Sequence, residues 1–384
     1  MQEARCELLR YGAIVVKRGD KLDDIWDRPP HTAAKHDLLG MYLDAWFAIF
    51  GQSRQGRAVY LDGFAGPGSY KGGEDGSPIL AVKRLLGHNA FERLTGTEFV
   101  FAFNEGDAAR HAELCEAVER LKAPYGHKWP GSVQIAEPQN LEFGQFANEV
   151  ILSLKGKRLA PTFFFIDPFG YSDVSMKQVA ELLKFPACDL LIYFDFNSAN
   201  RFATAGNVDH LFEEYFGSDA YKNAPPAGDP RRAEYLHDCY EAGLRSICNM
   251  SHIQSFAMET DGGRVGYYLF FCTNDLQAFD RMKSAMWKID PSGGFRFSDK
   301  FAGQDVLFGP EQSTAPLRNA MLEKYAGKTV HVPDISRWVV GETPFHSGQL
   351  KRATLQPMEK RGEIVVLRPH SRAQFNDQVA VTFP

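Results

Sequence analysis

The chain has no long apolar run: no stretch approaches about 18 uninterrupted apolar residues. Met1 to Asp20 carries mixed charges without the apolar centre of a secretory signal, so neither membrane spanning nor secretion is expected. A Cys-x-x-Cys pair is also missing. The six cysteines (Cys6, Cys115, Cys188, Cys239, Cys248 and Cys272) are scattered, which disfavours a structural zinc and suits a reducing, cytoplasmic setting. Basic excess is lacking too. Lys and Arg number 43 against 48 Asp and Glu, and the net charge of -5 excludes a uniformly basic nucleic-acid coat. No Ser/His/Asp or Cys/His nucleophile set has supporting context, and the 11 histidines do not gather as metal ligands. There is no convincing internal repeat or low-complexity tract.

What is present is a large core. With 384 residues and 44% hydrophobic side chains, the chain is long enough for two soluble globular domains. Phenylalanine is abundant, at 30 copies against 14 Tyr and 5 Trp. The net charge conceals a division. Residues 311–384 hold ten basic and seven acidic side chains, whereas residues 1–310 hold 33 and 41. An acidic body is thus joined to a mildly basic tail, which suggests a module with its own partner.

Thr32 to Gly51 reads as an amphipathic helix with Leu38, Leu39, Tyr42, Leu43, Trp46 and Phe47 on one face. Strand-like runs then alternate with helical patterns. The expected strands are Ala58–Asp62, Phe99–Asn104, Val133–Ala136, Thr162–Ile166 and Leu190–Phe194. The expected helices are Pro78–Leu86, Ala108–Leu121, Gln145–Leu154, Ser175–Leu183 and Val208–Phe216. Such units, with strands apolar on both faces, imply a parallel sheet covered by helices. A helical insertion (about 218–250) precedes two more strands, His252–Glu259 and Val265–Cys272, around the hairpin signal Asp261-Gly262-Gly263. Parallel units ending in an antiparallel hairpin form the α/β, Rossmann-like layout of class I S-adenosylmethionine-dependent methyltransferases. The join is expected near residue 310, dividing the chain into 1–309 and 310–384. In the tail, helices at Leu317–Tyr325, Val332–Val340 and Ser347–Arg361, then strands at Glu363–Leu367 and Gln378–Phe383, match a winged helix-turn-helix.

Three strand ends carry chemistry. Asp62-Gly63-Phe64-Ala65-Gly66-Pro67-Gly68 joins a terminal acid to a glycine turn that lets backbone approach a ligand. Asp62, Gly63, Phe64, Gly66 and Gly68 are therefore candidates for the amino-acid end of a nucleoside cofactor. A tight strand-to-helix connection is the plainer reading. Glu105, after the second strand, is a candidate for both ribose hydroxyls, and Glu137, after the third, for the adenine. The third motif is Asp167-Pro168-Phe169-Gly170. An exocyclic nitrogen conjugated to a base is a weak nucleophile, so an acceptor must orient its hydrogens and an aromatic ring must hold the base. Asp167 suits the first task and Phe169 the second. The motif resembles the Asp-Pro-Pro-Tyr set of amino methyltransferases, and its Asp-Pro-Phe-Gly form is closer to tRNA guanine-N2 dimethyltransferases. The polar run Asp195-Phe196-Asn197-Ser198-Ala199-Asn200-Arg201, with Asn197 and Asn200, follows the fifth strand and could line the substrate pocket, or simply cap the next helix. Lys35 and His36 could reach across the cofactor, or lie at a solvated helix end. Lys351, Arg352, Arg368 and Arg372 are candidate nucleic-acid contacts of the tail, although winged helices also bind proteins.

Taken together, Lys35-His36-Asp37-Leu38-Leu39, the Asp62–Gly68 turn, Gly76-Ser77-Pro78 and Ile166-Asp167-Pro168-Phe169-Gly170 resemble the three-Cys-motif partner (TcmP) proteins of bacteria over most of residues 30–290. The resemblance implies a methyltransferase-like domain found beside a radical-SAM-like three-Cys partner protein. The expectation is a methyltransferase that converts S-adenosylmethionine to S-adenosylhomocysteine and acts on an exocyclic amino group of a base in DNA or RNA, guanine first. The rivals are a non-catalytic nucleic-acid-binding or partner-docking protein that senses the cofactor, and a methyltransferase for protein or a small molecule.

Overall fold

The computed structural model describes residues 30–52, 56–94, 96–153, 160–185, 187–203, 209–259, 264–298, 313–370 and 374–384. Helix α1 (Pro30–Gly51) buries Leu38, Leu39, Tyr42, Leu43, Trp46 and Phe47, the stripe that its periodicity predicts. Five strands follow: β1 (Arg57–Asp62), β2 (Glu98–Phe103), β3 (Val133–Ile135), β4 (Thr162–Ile166) and β5 (Cys188–Phe194). β4 reads Thr-Phe-Phe-Phe-Ile and is buried at every position, as a central strand covered on both faces must be. Between the strands run α2 (Ser77–Leu86), α3 (Phe91–Leu94), α4 (Ala108–Lys122), α5 (Phe143–Ser153) and α6 (Met176–Leu182). After β5 come α7 (Phe196–Phe202), α8 (Asp209–Phe216) and α9 (Arg232–Ser246). The hairpin strands β6 (His252–Glu259) and β7 (Val265–Thr273) lead to α10 (Leu276–Ile289) and a short β8 (Arg296–Ser298).

The sheet order is β3-β2-β1-β4-β5-β7-β6-β8. β1 to β5 are mutually parallel, and β7 runs antiparallel to both β5 and β6. This is the parallel sheet with an antiparallel hairpin of the class I methyltransferase fold. Two cores lie on its opposite faces. One gathers residues of α1, α2, α4 and α10, and the other residues of α5, α6, α8 and α9. The chain reverses direction across the sheet between β1 and β4, which pair side by side. At such a switch point the flanking connections diverge and leave a crevice beyond the strand C-termini, where α/β proteins bind ligands.

The tail comprises α11 (Ala315–Tyr325), β9 (Thr329–His331), α12 (Val332–Glu342), α13 (Gln356–Lys360), β10 (Val365–Leu367) and β11 (Ala380–Thr382). Its strands form a separate antiparallel sheet ordered β10-β11-β9. The single helix expected over Ser347–Arg361 is instead three pieces: a 3-10 turn (Ser347–Gln349), a π turn (Lys351–Leu355) and α13. Pro357 has no N–H to offer the carbonyl of Ala353. That carbonyl accepts from the Thr314 hydroxyl at 2.9 Å, while Leu355 N–H reaches back to Leu350 O at 2.8 Å. The expected join near residue 310 and the turn at 261–263 lie outside the described residues.

The tail is not a loosely held module. Trp287 of α10 stacks on Phe345, with ring centroids 5.3 Å apart, and donates its Nε1–H to Pro344 O at 3.0 Å. Lys283 Nζ donates to Val340 O and Thr343 O at the end of α12, and burial pushes its pKa down to about 8. Asp280 accepts from the Ser347 N–H and hydroxyl, both at 2.6 Å. Tail residues Leu317, Met321, Ile335 and Val339 share one buried cluster with α10.

Candidate functional site

β1 delivers Asp62 to the switch point, level with Phe103 on β2 and Phe165 on β4. Its carboxylate is fully buried and accepts from the Ser77 hydroxyl at 2.6 Å, Phe64 N–H at 3.2 Å and the Tyr60 hydroxyl at 3.4 Å. Burial raises its pKa to about 7, with Asp167 adding to the rise, against the lowering effect of the Ser77 and Phe64 hydrogen bonds. Asp62 thus pins the glycine turn to the N-terminus of α2. It does not present an exposed carboxylate to a ligand.

The glycines divide by what surrounds them. Gly66 and Gly68 both have positive φ, +61° and +79°. A Cβ on Gly68 would lie 2.9 Å from Ala117 Cβ, so this glycine is required by packing against α4. A Cβ on Gly63 would lie 2.7 Å from Phe143, whose ring stacks on Phe64 at 5.0 Å. At Gly66 a Cβ would meet nothing within 4 Å among the described residues, so here the backbone borders open space.

Glu105 follows β2 and is buried. Its Oε2 accepts from Gly66 N–H at 3.0 Å, and its Oε1 accepts from Asp107 N–H and from Arg110 Nε and Nη2. The second strand's acid is therefore tied directly to the glycine turn. Arg110 also lies 4.8 Å from the centroid of the Phe169 ring, which brings the third motif to the same place. Asn104, which opens the Asn104-Glu105-Gly106 run and was given no role from the sequence, stitches the rim: it donates to Gly63 O and Leu141 O and accepts from Leu141 N–H. Glu137 is exposed, and its negative charge acts on Cys115 of α4. Asn140 rather than Glu137 reaches Glu105, donating to its carbonyl at 2.7 Å.

Asp167 follows β4, with Pro168 buried behind it, Phe169 47% exposed and Gly170 partly exposed. The Asp167 carboxylate is held by Lys35, whose ammonium forms an ion pair with Oδ2. The solvated-helix-end reading of Lys35 and His36 is thereby overturned, since both are buried. Lys35, Leu38, Leu39 and Tyr42 share the i, i+3, i+4, i+7 stripe that packs α1 on the sheet. Placement on that stripe was the signal that would have found it. His36 lies 5.7 Å from Tyr70 of the glycine-rich segment, ring to ring. Tyr193, at the end of β5, has its pKa raised well above the ordinary value, by burial first and then by Asp195, Tyr267 and Asp167. Its ring lies 4.6 Å from that of Tyr267, adding an aromatic wall that the motif reading missed.

The remaining candidates separate from this rim. The capping alternative holds after β5, where Asp195 caps α7 by accepting from Ser198 N–H at 3.0 Å. Asn200 is taken up by Arg232, which donates to its Oδ1 and its carbonyl, each at 2.9 Å; Asn197 is exposed on the same helix. Lys351 and Arg352 are exposed on the π turn. Arg368 is paired with Glu359 and stacked 5.2 Å from Phe375. Arg372 lies outside the described residues. Among the described residues no group of His, Cys, Asp and Glu could hold a metal ion, and no helix is long and apolar enough to cross a membrane.

No protein-family profile and no curated protein matches the chain. Solved structures do. One is a geranyl diphosphate methyltransferase in complex with GPP and sinefungin, 12% identical, which aligns over 60% of this chain and 77% of its own with a TM-score of 0.25.

Proposed function

We propose that the chain is an S-adenosylmethionine-dependent methyltransferase acting on an exocyclic amino group of a nucleobase in nucleic acid, guanine being the first candidate. One observation carries the reading: the ends of β1, β2 and β4 converge at the switch point. There Glu105 bonds the Gly66 amide, Arg110 bridges Glu105 to Phe169, and the charge of Asp167 acts on Asp62. The residues fit the cofactor. Gly66 leaves room at the turn, and Glu105 Oε2, with one donor among the described residues, keeps acceptor capacity for a ribose hydroxyl. Bound there, S-adenosylmethionine would supply an electrophilic methyl group. Asp167 would accept hydrogen bonds from the acceptor amine and hold its lone pair toward that group. Phe169, exposed at the rim, would stack on the base.

The tail, read as a winged helix, would bring Lys351, Arg352 and Lys360 to phosphates. The resemblance to TcmP proteins adds a three-Cys radical-SAM-like protein as a candidate partner. A second reading, docking of a protein, is favoured by the edge strand β10, where Val365 and Leu367 are 59% and 49% exposed. Titration calorimetry with S-adenosylhomocysteine tests the first reading. Binding that is lost in Gly66→Val supports it, and absence of binding to the wild-type chain refutes it.

A further inference from the structure

The Lys35–Asp167 pair joins side chains 132 positions apart, one carried by α1 and one by the end of β4. Lys35 has 10% of its side chain exposed and Asp167 21%, so the pair is largely withdrawn from water. An ammonium so placed is tolerated only with a counter-charge. Burial acts to lower the pKa of Lys35, but Asp167, Tyr70 and Asp62 together outweigh it and leave it above the ordinary value. The Lys35 ammonium is thus the counter-charge of the Asp167 carboxylate. One carboxylate oxygen, Oδ2, is engaged by Lys35; Oδ1 retains its lone pairs.

An amine approaching Oδ1 meets this balance. A neutral amine needs only an acceptor for its N–H, which Oδ1 supplies. A cationic amine would face the Lys35 ammonium across the same carboxylate, so repulsion offsets attraction while its hydration is lost. We infer that Lys35 makes the site selective for a neutral aromatic amine, such as the exocyclic amine of a base, over an alkylammonium such as a lysine side chain. The inference rests on the methyl-transfer reading of the site and narrows its acceptor. Lys35 acts here as a positioning residue, through Asp167.

The test is calorimetry on the full chain with two amine probes, guanosine and n-butylammonium chloride, each with and without S-adenosylhomocysteine. The wild type should bind guanosine at least about tenfold more tightly than n-butylammonium. Lys35→Met leaves the carboxylate unopposed and should gain at least about tenfold in n-butylammonium affinity, while Lys35→Arg should keep the wild-type preference. A purely structural staple between α1 and β4 would lower the melting temperature of Lys35→Met without changing this preference. Asp167→Asn gives an arm independent of that variant's folding: its amide oxygen still accepts from guanosine, while no carboxylate remains there to attract a cation. Equal binding of the two probes by the wild type, no gain in Lys35→Met, n-butylammonium binding by Asp167→Asn, or no binding of either amine overturns the inference. Failure of S-adenosylhomocysteine to bind is a separate result. It defeats the methyltransferase reading, while the amine titrations made without it still score the charge selection.

Discussion

At the rim of the large sheet, Asp62 and Glu105 are buried and Asp167 mostly so, and their partners come from the flanking helices: Ser77 of α2, Arg110 of α4 and Lys35 of α1. In the tail the acids Glu363 and Glu359 are partly exposed, and arginines answer each of them. Glu363 receives Arg318 and Arg361, and Glu359 receives Arg368. The electrostatic outcomes are opposite. Burial lifts Asp62 to about 7, whereas the Arg318 guanidinium, followed by that of Arg361, holds Glu363 down to about 2. Surface pairs of the tail's kind add little to stability and quench its basic charge locally. A buried acid such as Asp62 opposes folding when it ionises.

The comparison can be broken first at the seam between the two regions. Trp287→Ala removes a buried ring that stacks on Phe345 and should cost about 3–5 kcal/mol, measured by urea unfolding. A tail that unfolded independently would instead give a second, separate transition. Within the rim, Gly68→Ala combines a left-handed φ with a 2.9 Å approach to Ala117 and should cost about 2–4 kcal/mol. Gly66→Ala should cost only about 1–2 kcal/mol, since its Cβ meets nothing among the described residues. Equal losses for the two variants would remove the distinction between a packed and an open glycine.

The pH dependence sharpens the contrast further. Asp62 keeps its proton to about pH 7 when folded but only to about pH 4 when unfolded, so its contribution to stability falls as pH rises through that window. Asp189, held between Tyr42 and Thr273, adds a similar fall that ends near its pKa of about 6. Asp62→Asn should therefore flatten the stability profile above about pH 6, as read from urea midpoints across a pH series. An unchanged slope there would show that Asp62 ionises freely. The smallest effect is expected in the tail. Arg368→Ala removes a partly exposed pair and should change stability by less than about 1 kcal/mol in the same assay.

The central sheet was legible because its strands are short apolar runs: β4 falls where expected, and the other predicted strands agree within a residue or two. The glycine turn and Asp167 could be placed at strand ends from the sequence because each directly follows an apolar run. What stayed hidden were polar residues spent on packing. α10 was not foreseen, and its Asp280 and Lys283 are committed to the tail's backbone and to Ser347. α7 was not foreseen either, because its polar residues are spent locally: Asp195 caps it and Asn200 accepts from Arg232. Lys35 read as a surface charge, although its place on the apolar stripe of α1 carries it to Asp167. Asn140 went unnoticed because it lies beyond the end of β3, yet it donates to the carbonyl of Glu105.

The most direct measurement is transfer of a labelled methyl group from S-adenosylmethionine to separate DNA, RNA and protein pools, by the wild type and by Asp167→Ala. The account predicts label on an exocyclic amine of a base in one nucleic-acid pool, and a fall of at least about 100-fold in Asp167→Ala with nucleic-acid retention unchanged. Label confined to protein, or transfer that Asp167→Ala leaves intact, would contradict it.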